Sequence, residues 1–479
     1  MRKLENLKPQ DVFKYFEDIA SIPHGSGNTG PIRDYCVNFA KEHGLRYHTD
    51  DLNNVVIYKD GSAGYENSPA VILQAHTDMV CQKTDDCTID FEKDGLDLFV
   101  DGDLIGAKGT SLGADDGIGM AIILAILADT TFVNPPLECV FTSDEETGMY
   151  GAHALDVSKL TAKKMINIDG GGVNLALASC AGGADFKAVF DYERVETKGT
   201  ILRLYLSGLP GGHSGSQINK GFVNANTLMM KILNDVYSKC KFEIISLNGG
   251  NKTNVITPSC EAYVASENPD SLISVLEATA NAFKKEIEQN NPDMELAVTR
   301  EENSGYKAIA NTKDFLEMAT KLPSGVLAMS DLMENYVQTS ANLGIVKSSP
   351  DTAITLVISV RSCVKDELST VVKGLEKLCT SYGAKCSVSG EYPPWQYKKD
   401  TELQKTFAAA CLSAIGKEAI ITATHAGLEC GIFDSAIDGL DCISTGPRKI
   451  DIHSPSERLS ISSTQEYYEI ITEVLKNCK

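Results

Sequence analysis

The stretch Ala70-Val-Ile-Leu-Gln-Ala-His76-Thr-Asp78 decides the fold. Its opening residues are almost all apolar and read as a β-strand buried on both faces, the kind found in sheets that carry helices on both sides. The run then breaks into a histidine and an aspartate. The pattern recurs. Leu137-Glu-Cys-Val-Phe-Thr142 leads into Glu145 and Glu146, and Lys164-Met-Ile-Asn-Ile168 leads into Asp169. Between the first two, Gly117 to Ala128 is rich in Ile, Ala, Leu and Met and predicts a helix lying on the sheet. Strands alternating with helices define an α/β fold, and open α/β sheets bind ligands at the carboxyl ends of their strands. The polar clusters fall at that edge.

Outward from this core, residues 1–185 keep the α/β pattern. From 186 to 390 it changes: strand-like runs at 201–209, 241–248, 254–266 and 294–302 interleave with helices at 221–239 and 270–289. A helix at 311–321, strands at 337–346 and 352–361, a helix at 366–382 and a strand at 384–390 follow. This order predicts two α+β units of the same type. Tyr392-Pro-Pro-Trp395 reads as the linker back. Residues 391–479 then resume α/β patterning, with a helix from Leu403, a strand Leu440–Ser444 and a last helix Ser463–Leu475. The middle region is therefore expected to be inserted into one domain built from both chain ends.

The 479 residues suffice for two or three domains, and 43% hydrophobic with 23% charged residues is ordinary for a globular protein. A net charge of -21 argues against nucleic acid or an anionic membrane as partner. No apolar run reaches membrane-spanning length, and the first residues lack the apolar segment of a secretion signal, so a cytoplasmic protein is expected. Fourteen cysteines without a C-x-x-C pair suit free thiols in a reducing compartment. The triple glycine Gly170–Gly172 is no phosphate loop, because no G-K-[ST] follows, and Met229-Met230 fits core packing.

The chemistry lies in five places: His76-Thr-Asp78, Asp115-Asp116 within a glycine-rich turn, Glu145-Glu146, Asp169 and His453. Two imidazoles and several carboxylates are the ligand types that suit zinc, cobalt or manganese. The carboxylates are too many for one tetrahedral ion, so two ions sharing a carboxylate are the natural reading. Asp115 can offer one oxygen to each ion, although an aspartate there can equally cap the helix. Of the adjacent acids Glu145 and Glu146, one can bind metal while the other faces a substrate as general base. Two divalent ions are balanced by Asp115, Glu146, Asp169 and a hydroxide.

Together these motifs are recognisable. Gln74-Ala-His-Thr-Asp-Met79, Leu112-Gly-Ala-Asp-Asp-Gly-Ile-Gly119, Thr142-Ser-Asp-Glu-Glu-Thr-Gly148, Asn167-Ile-Asp169, Gly211-Gly-His-Ser-Gly215, His425-Ala-Gly-Leu-Glu-Cys-Gly431 and His453-Ser-Pro-Ser-Glu457 span nearly the whole chain. The set resembles the dinuclear zinc peptidases that include the carnosinases, and within them the bacterial aminoacyl-histidine dipeptidases. The resemblance implies a zinc-peptidase catalytic domain with a mixed central sheet and an inserted α+β lid or dimerisation domain. It implies two divalent ions, zinc foremost, with His76 and His453 as terminal ligands, Asp115 bridging, and Glu146 and Asp169 completing one set each. Glu145 would be general base on a metal-bridging water and Asp78 would orient His76. His213 would stabilise the oxyanion, in its own subunit or in a partner's. Glu429 would meet the substrate's free amine, and Arg361 could fork onto its carboxylate. Asn254, His425 and Gly446 are weaker substrate-binding candidates. One departure stands out: Asp116 occupies a position where asparagine is expected, adding charge beside the bridge.

The resulting expectation is a cytoplasmic, homodimeric metallo-dipeptidase acting on unblocked dipeptides, Xaa-His and β-alanyl-histidine among them. An N-acyl amino acid deacylase or aminopeptidase on the same scaffold is the alternative, and a non-catalytic metal or peptide binder a third.

Overall fold

The computed structural model describes residues 2–302, 305–349 and 351–479. The chain forms two compact units. The first comprises the chain up to Cys180, Trp395–Ala423 and Leu428–Lys479; the second comprises Ala181–Pro394 and Thr424–Gly427. The changeovers fall at 180/181 and 394/395, against the expected 185/186 and 390/391. The short segment 424–427, expected with the first unit, groups with the second because Ala181 donates its N–H to the carbonyls of Thr424 and Ala426.

The first unit is built on eight strands: β1 (Arg46–Thr49), β2 (Val55–Lys59), β3 (Val71–His76), β4 (Leu137–Thr142), β5 (Lys164–Asn167), β6 (Gly172–Cys180), β7 (Ile420–Thr424) and β8 (Asp441–Gly446). They lie in the order β1-β2-β4-β3-β5-β8-β6-β7. The central four, β4, β3, β5 and β8, are parallel, while β2 and β6 flank them antiparallel, so the sheet is mixed as the resemblance implied. Every residue of β3 and β4 is buried, which explains their near-continuous apolar character. Helix Ala114–Ala128 packs on β3 and on helix Gln10–Ala20, and its own residues are almost all buried. An apolar circumference of that kind marks a helix inside the core rather than on a surface. Asp115 and Asp116 keep non-helical backbone angles, so the regular helix starts at Gly117, as the sequence predicts. A small antiparallel sheet, in the order Lys449–Ile450, Arg458–Ser460, Leu104–Ala107, Leu98–Asp101, closes on the loop 451–457 that carries His453.

Among its described residues the second unit holds two larger antiparallel sheets and two two-stranded ones. One larger sheet has the order Glu243–Asn248, Cys260–Ser266, Thr200–Ser207, Glu295–Glu301, with helices Ala225–Lys239 and Pro269–Ile287 packed on it. The other has the order Gly325–Met329, Val337–Lys347, Ile354–Ser362, Gly182–Phe190, Lys385–Tyr392, with helix Lys365–Ser381 on it. Two expectations are corrected. The strand expected over 254–266 is two, Val255–Ile256 and Cys260–Ser266, because Pro258 has no N–H to continue a ladder. The second sheet also takes a strand, Gly182–Phe190, from before the first α+β unit. Its signal was alternation: Ala184, Phe186, Ala188 and Phe190 are buried, while Asp185 and Lys187 turn outward.

Candidate active site

The carboxyl ends of the parallel strands deliver the polar residues to one edge. His76 ends β3, the loop to Asp144, Glu145 and Glu146 follows β4, Asp169 follows β5, and Lys449 lies just beyond β8. His76 Nε2 lies 3.6 Å from Asp115 Oδ1 and 3.9 Å from Asp169 Oδ1. His453 Nε2 lies 3.3 Å from the other Asp115 oxygen, Oδ2, and 2.8 Å from Glu146 Oε1. The two oxygens of Asp115 thus serve different histidines. Among the described residues, three groups could each hold a metal ion with ligand atoms within 4.8 Å of one another: His76, Asp115 and Asp169; Asp115, Glu146 and His453; and His76, Glu145 and Glu146. The donors are nitrogen and oxygen only, which fits a borderline or hard divalent ion. Glu146 Oε1 is buried and faces His453 Nε2, the arrangement of two donors that could share an ion.

Buried carboxylates tie the ligand-bearing loops in place. Glu457 accepts four backbone N–H groups, from Leu112 and Gly113 through Oε2 and from Ala114 and Asp115 through Oε1. These N–H groups belong to the turn that leads into the helix, where no helical carbonyl is available to them. Gly113 has φ +63°, and a Cβ there would come within 2.8 Å of Met79 Sδ, so the turn before Asp115 requires glycine. Asp78 accepts from the N–H groups of Glu145 at 2.9 Å and Glu146 at 3.3 Å, and from Ser26 Oγ at 2.7 Å. His76 Nδ1 lies closer to the carbonyl oxygen of Asp78, 3.0 Å, than to its carboxylate, 3.6 Å. The expectation that Asp78 orients His76 thus meets a geometry in which its carboxylate mainly holds the two glutamates. Asp144 and His453, at φ +51° and +61°, sit in left-handed backbone uncommon for such residues; Asp144 precedes Glu145 and Glu146, and His453 is itself a candidate ligand.

Charge crowding shapes the ionisation. Burial pushes the Glu145 carboxyl well above the usual range, and the nearby carboxylates of Asp169, Glu429 and Glu146 add to it against His76. Burial likewise raises Asp169 to about 7. At Asp115 burial is outweighed by Lys449, His453 and His76, which hold it well below the usual range. Hydrogen bonds to Asp115 and Glu146 lift His453 to about 10. Burial raises Glu429 to about 7. Its Oε2 accepts from Gln74 Nε2 at 2.5 Å and Thr142 Oγ1 at 2.8 Å, while its Oε1 is buried without a partner. Gly446 closes β8 against Gly170: a Cβ there would lie 2.4 Å from that residue's carbonyl oxygen.

Four other expected residues belong to the second unit. His213 lies in a two-residue strand paired with Val255–Ile256. Its Nδ1 accepts from the N–H groups of Gly215 and Ser216 at 3.2 and 3.1 Å, so Nε2 carries the proton. Burial, then Arg361, lowers its pKa and keeps the ring neutral. His425 Nε2 lies 2.8 Å from Ser340 Oγ, and burial with Arg361 lowers its pKa to about 4. Arg361 is buried, donates Nη1 to Tyr392 Oη at 2.9 Å and leaves its Nε unpartnered. Asn254 is exposed and uses its backbone carbonyl to accept from Ser214.

The sequence reading gave no role to Lys449 and Glu457. Glu457 stood in a quoted motif, and its signal was an acid shortly after His453. Lys449 carried no signal, since a lysine among polar loop residues is usually solvated.

A mixed α/β sheet with a histidine–carboxylate cluster at its carboxyl edge defines a hydrolase scaffold, and the chain belongs to peptidase family M20/M25/M40, whose model matches residues 72–477. It is a hydrolase acting on peptide bonds. The cytosol non-specific dipeptidase of Escherichia coli strain K12 is 36% identical over 481 residues, covering 99% of each chain. The structure of aminoacylhistidine dipeptidase from Vibrio alginolyticus is 33% identical and superposes with a TM-score of 0.92, covering 99% of this chain and 98% of that one. Aminopeptidase PepT from Bacillus cereus, 13% identical with a TM-score of 0.58 over 98% of this chain and 99% of that one, shares the fold alone.

Proposed function

We propose that this chain is a cytoplasmic, homodimeric, metal-dependent dipeptidase that cleaves unblocked dipeptides, Xaa-His and β-alanyl-histidine among them. The observation that carries the metal assignment is the split of Asp115, with Oδ1 toward His76 and Asp169 and Oδ2 toward His453 and Glu146. That division suits a carboxylate bridging two ions, zinc foremost, with His76, Asp169, Glu146 and His453 as the terminal ligands. Bound there, two divalent ions would supply Lewis acidity to activate water and polarise the scissile carbonyl.

The remaining steps fall to protein groups. Glu145 takes a proton from the attacking water and returns it to the departing amine; burial raises its pKa, which makes the carboxylate a stronger proton acceptor. Asp78 holds the backbone of Glu145 and Glu146 and keeps His76 in place. His213, neutral and protonated on Nε2, offers a donor to the oxyanion. Arg361 offers its unpartnered Nε to a substrate carboxylate, with Asn254, His425 and Gly446 as further substrate contacts. Glu429 Oε1, buried and unpaired, meets the free amino group. The cytoplasmic setting is supported by the fourteen free cysteines and by the relative named for the cytosol.

The test is hydrolysis of β-alanyl-histidine and other free dipeptides beside their N-acetyl forms, with and without chelator. Chelator-sensitive cleavage of the free forms alone is expected. Preferential cleavage of N-acetyl substrates would instead establish the deacylase alternative, and two bound ions without turnover on any peptide a mere binder.

A further inference from the structure

Lys449 is buried inside the acidic cluster, with a side chain 4% exposed. Its ammonium donates to Asp115 Oδ1 at 2.6 Å, to Asp169 Oδ1 at 2.9 Å and to the Asp169 carbonyl at 2.9 Å. Three donors meet three acceptors, so the group is satisfied. Two of those acceptors are the oxygens that lie nearest His76 Nε2. The ammonium therefore occupies the lone pairs that an ion at His76, Asp115 and Asp169 would use. The other group is different. Among the described residues, no lysine or arginine ion pair reaches Glu146 or Asp115 Oδ2.

We propose that Lys449 is a built-in competitor for the ion at His76, Asp115 and Asp169, making the two metal sites intrinsically unequal. The site of Asp115, Glu146 and His453 fills first, and its neighbour fills only when the ammonium releases its two carboxylate oxygens. This inference rests on the dinuclear reading above. A receiving group for the displaced ammonium is present. Asp116 Oδ1 lies 3.8 Å from Nζ, and both Asp116 oxygens are buried without a hydrogen-bond partner. A lysine is a compact charge on a flexible stem, so a small shift exchanges Asp115 and Asp169 for Asp116. Asp116, where asparagine was expected, thereby sets two unpartnered carboxyl oxygens beside Lys449. With the ammonium present in the metal-free state, Asp115 and Asp169 are held together rather than driven apart.

Metal-free protein, prepared by chelation, would be titrated with Zn(II) against a chromophoric chelator, and with Co(II) followed by its visible absorption. The native chain is expected to show two steps separated by tenfold or more. Lys449→Met should tighten the weaker step by tenfold or more and leave the stronger within threefold, whereas Lys449→Arg keeps the native separation. If Lys449→Met does not fold, Lys449→Gln carries the same comparison. Two equal steps in the native chain, or a weaker step unchanged or weakened in Lys449→Met with two ions bound, would overturn the competition. One ion in the native chain and two in the variant would support it in its strongest form. Fewer than two ions in the native chain and every variant would instead overturn the dinuclear reading.

Discussion

Glu145 and Glu146 are neighbours in sequence with different surroundings. Glu146 Oε1 lies against His453, whereas Glu145 is raised by burial and faces Asp169 and Glu429 without an ion pair among the described residues. The sequence suggests that adjacent acids diverge because neighbours in an extended chain point opposite ways. The structure reaches that divergence otherwise, through a turn in which Gly148 and Met149 donate to the Glu145 carbonyl after Asp144 enters left-handed backbone. Glu145→Gln keeps the shape but cannot accept a proton. It is expected to retain metal while kcat falls about 10³-fold. Single-turnover assays alongside metal analysis check this, and substantial activity in that variant would remove Glu145 from the base role.

At the scale of elements, the ligand loops are short and would be mobile if left to themselves. Glu457 anchors one of them through four backbone N–H groups across 345 to 342 residues of chain. Removing it leaves buried donors unpaired at about 1–3 kcal/mol for such a group. Glu457→Ala is therefore expected to destabilise the fold by about 3 kcal/mol in urea melts and to weaken metal binding at Asp115. A variant of native stability and affinity would show that helix packing alone holds the turn. The helix beyond it and the strands β3, β4 and β5 were legible from apolar runs, because burial on both faces leaves a local pattern. The split of the 254–266 strand was less so, since one proline decides it.

For the whole molecule, acid stability should depend on the second unit. His425 is held near 4 by burial and Arg361, while the unfolded imidazole titrates near its ordinary value of 6.5. Between these values the unfolded chain binds a proton that the native one refuses. Stability is therefore full above about 6.5 and lost as pH falls toward 4, by about 3 kcal/mol. Unfolding free energies from urea melts at pH 7 and 4.5 should differ by about 3 kcal/mol less in His425→Gln than in the native chain. An equal loss in both would assign acid lability to other groups.

The sequence by itself determined the α/β class and which histidines and carboxylates end the apolar runs. Strand burial and ligand chemistry are written in residues a few positions apart, and the structure gathers His76, Asp115, Glu146, Asp169 and His453 at one edge. Tertiary structure alone decided what surrounds them: the ammonium of Lys449 between two carboxylates, Glu457 under the Asp115 turn, and Asp78 under both glutamates. Each joins a side chain to a partner far away in sequence. A contact of that kind has no period and no preferred spacing, so only the folded chain shows it.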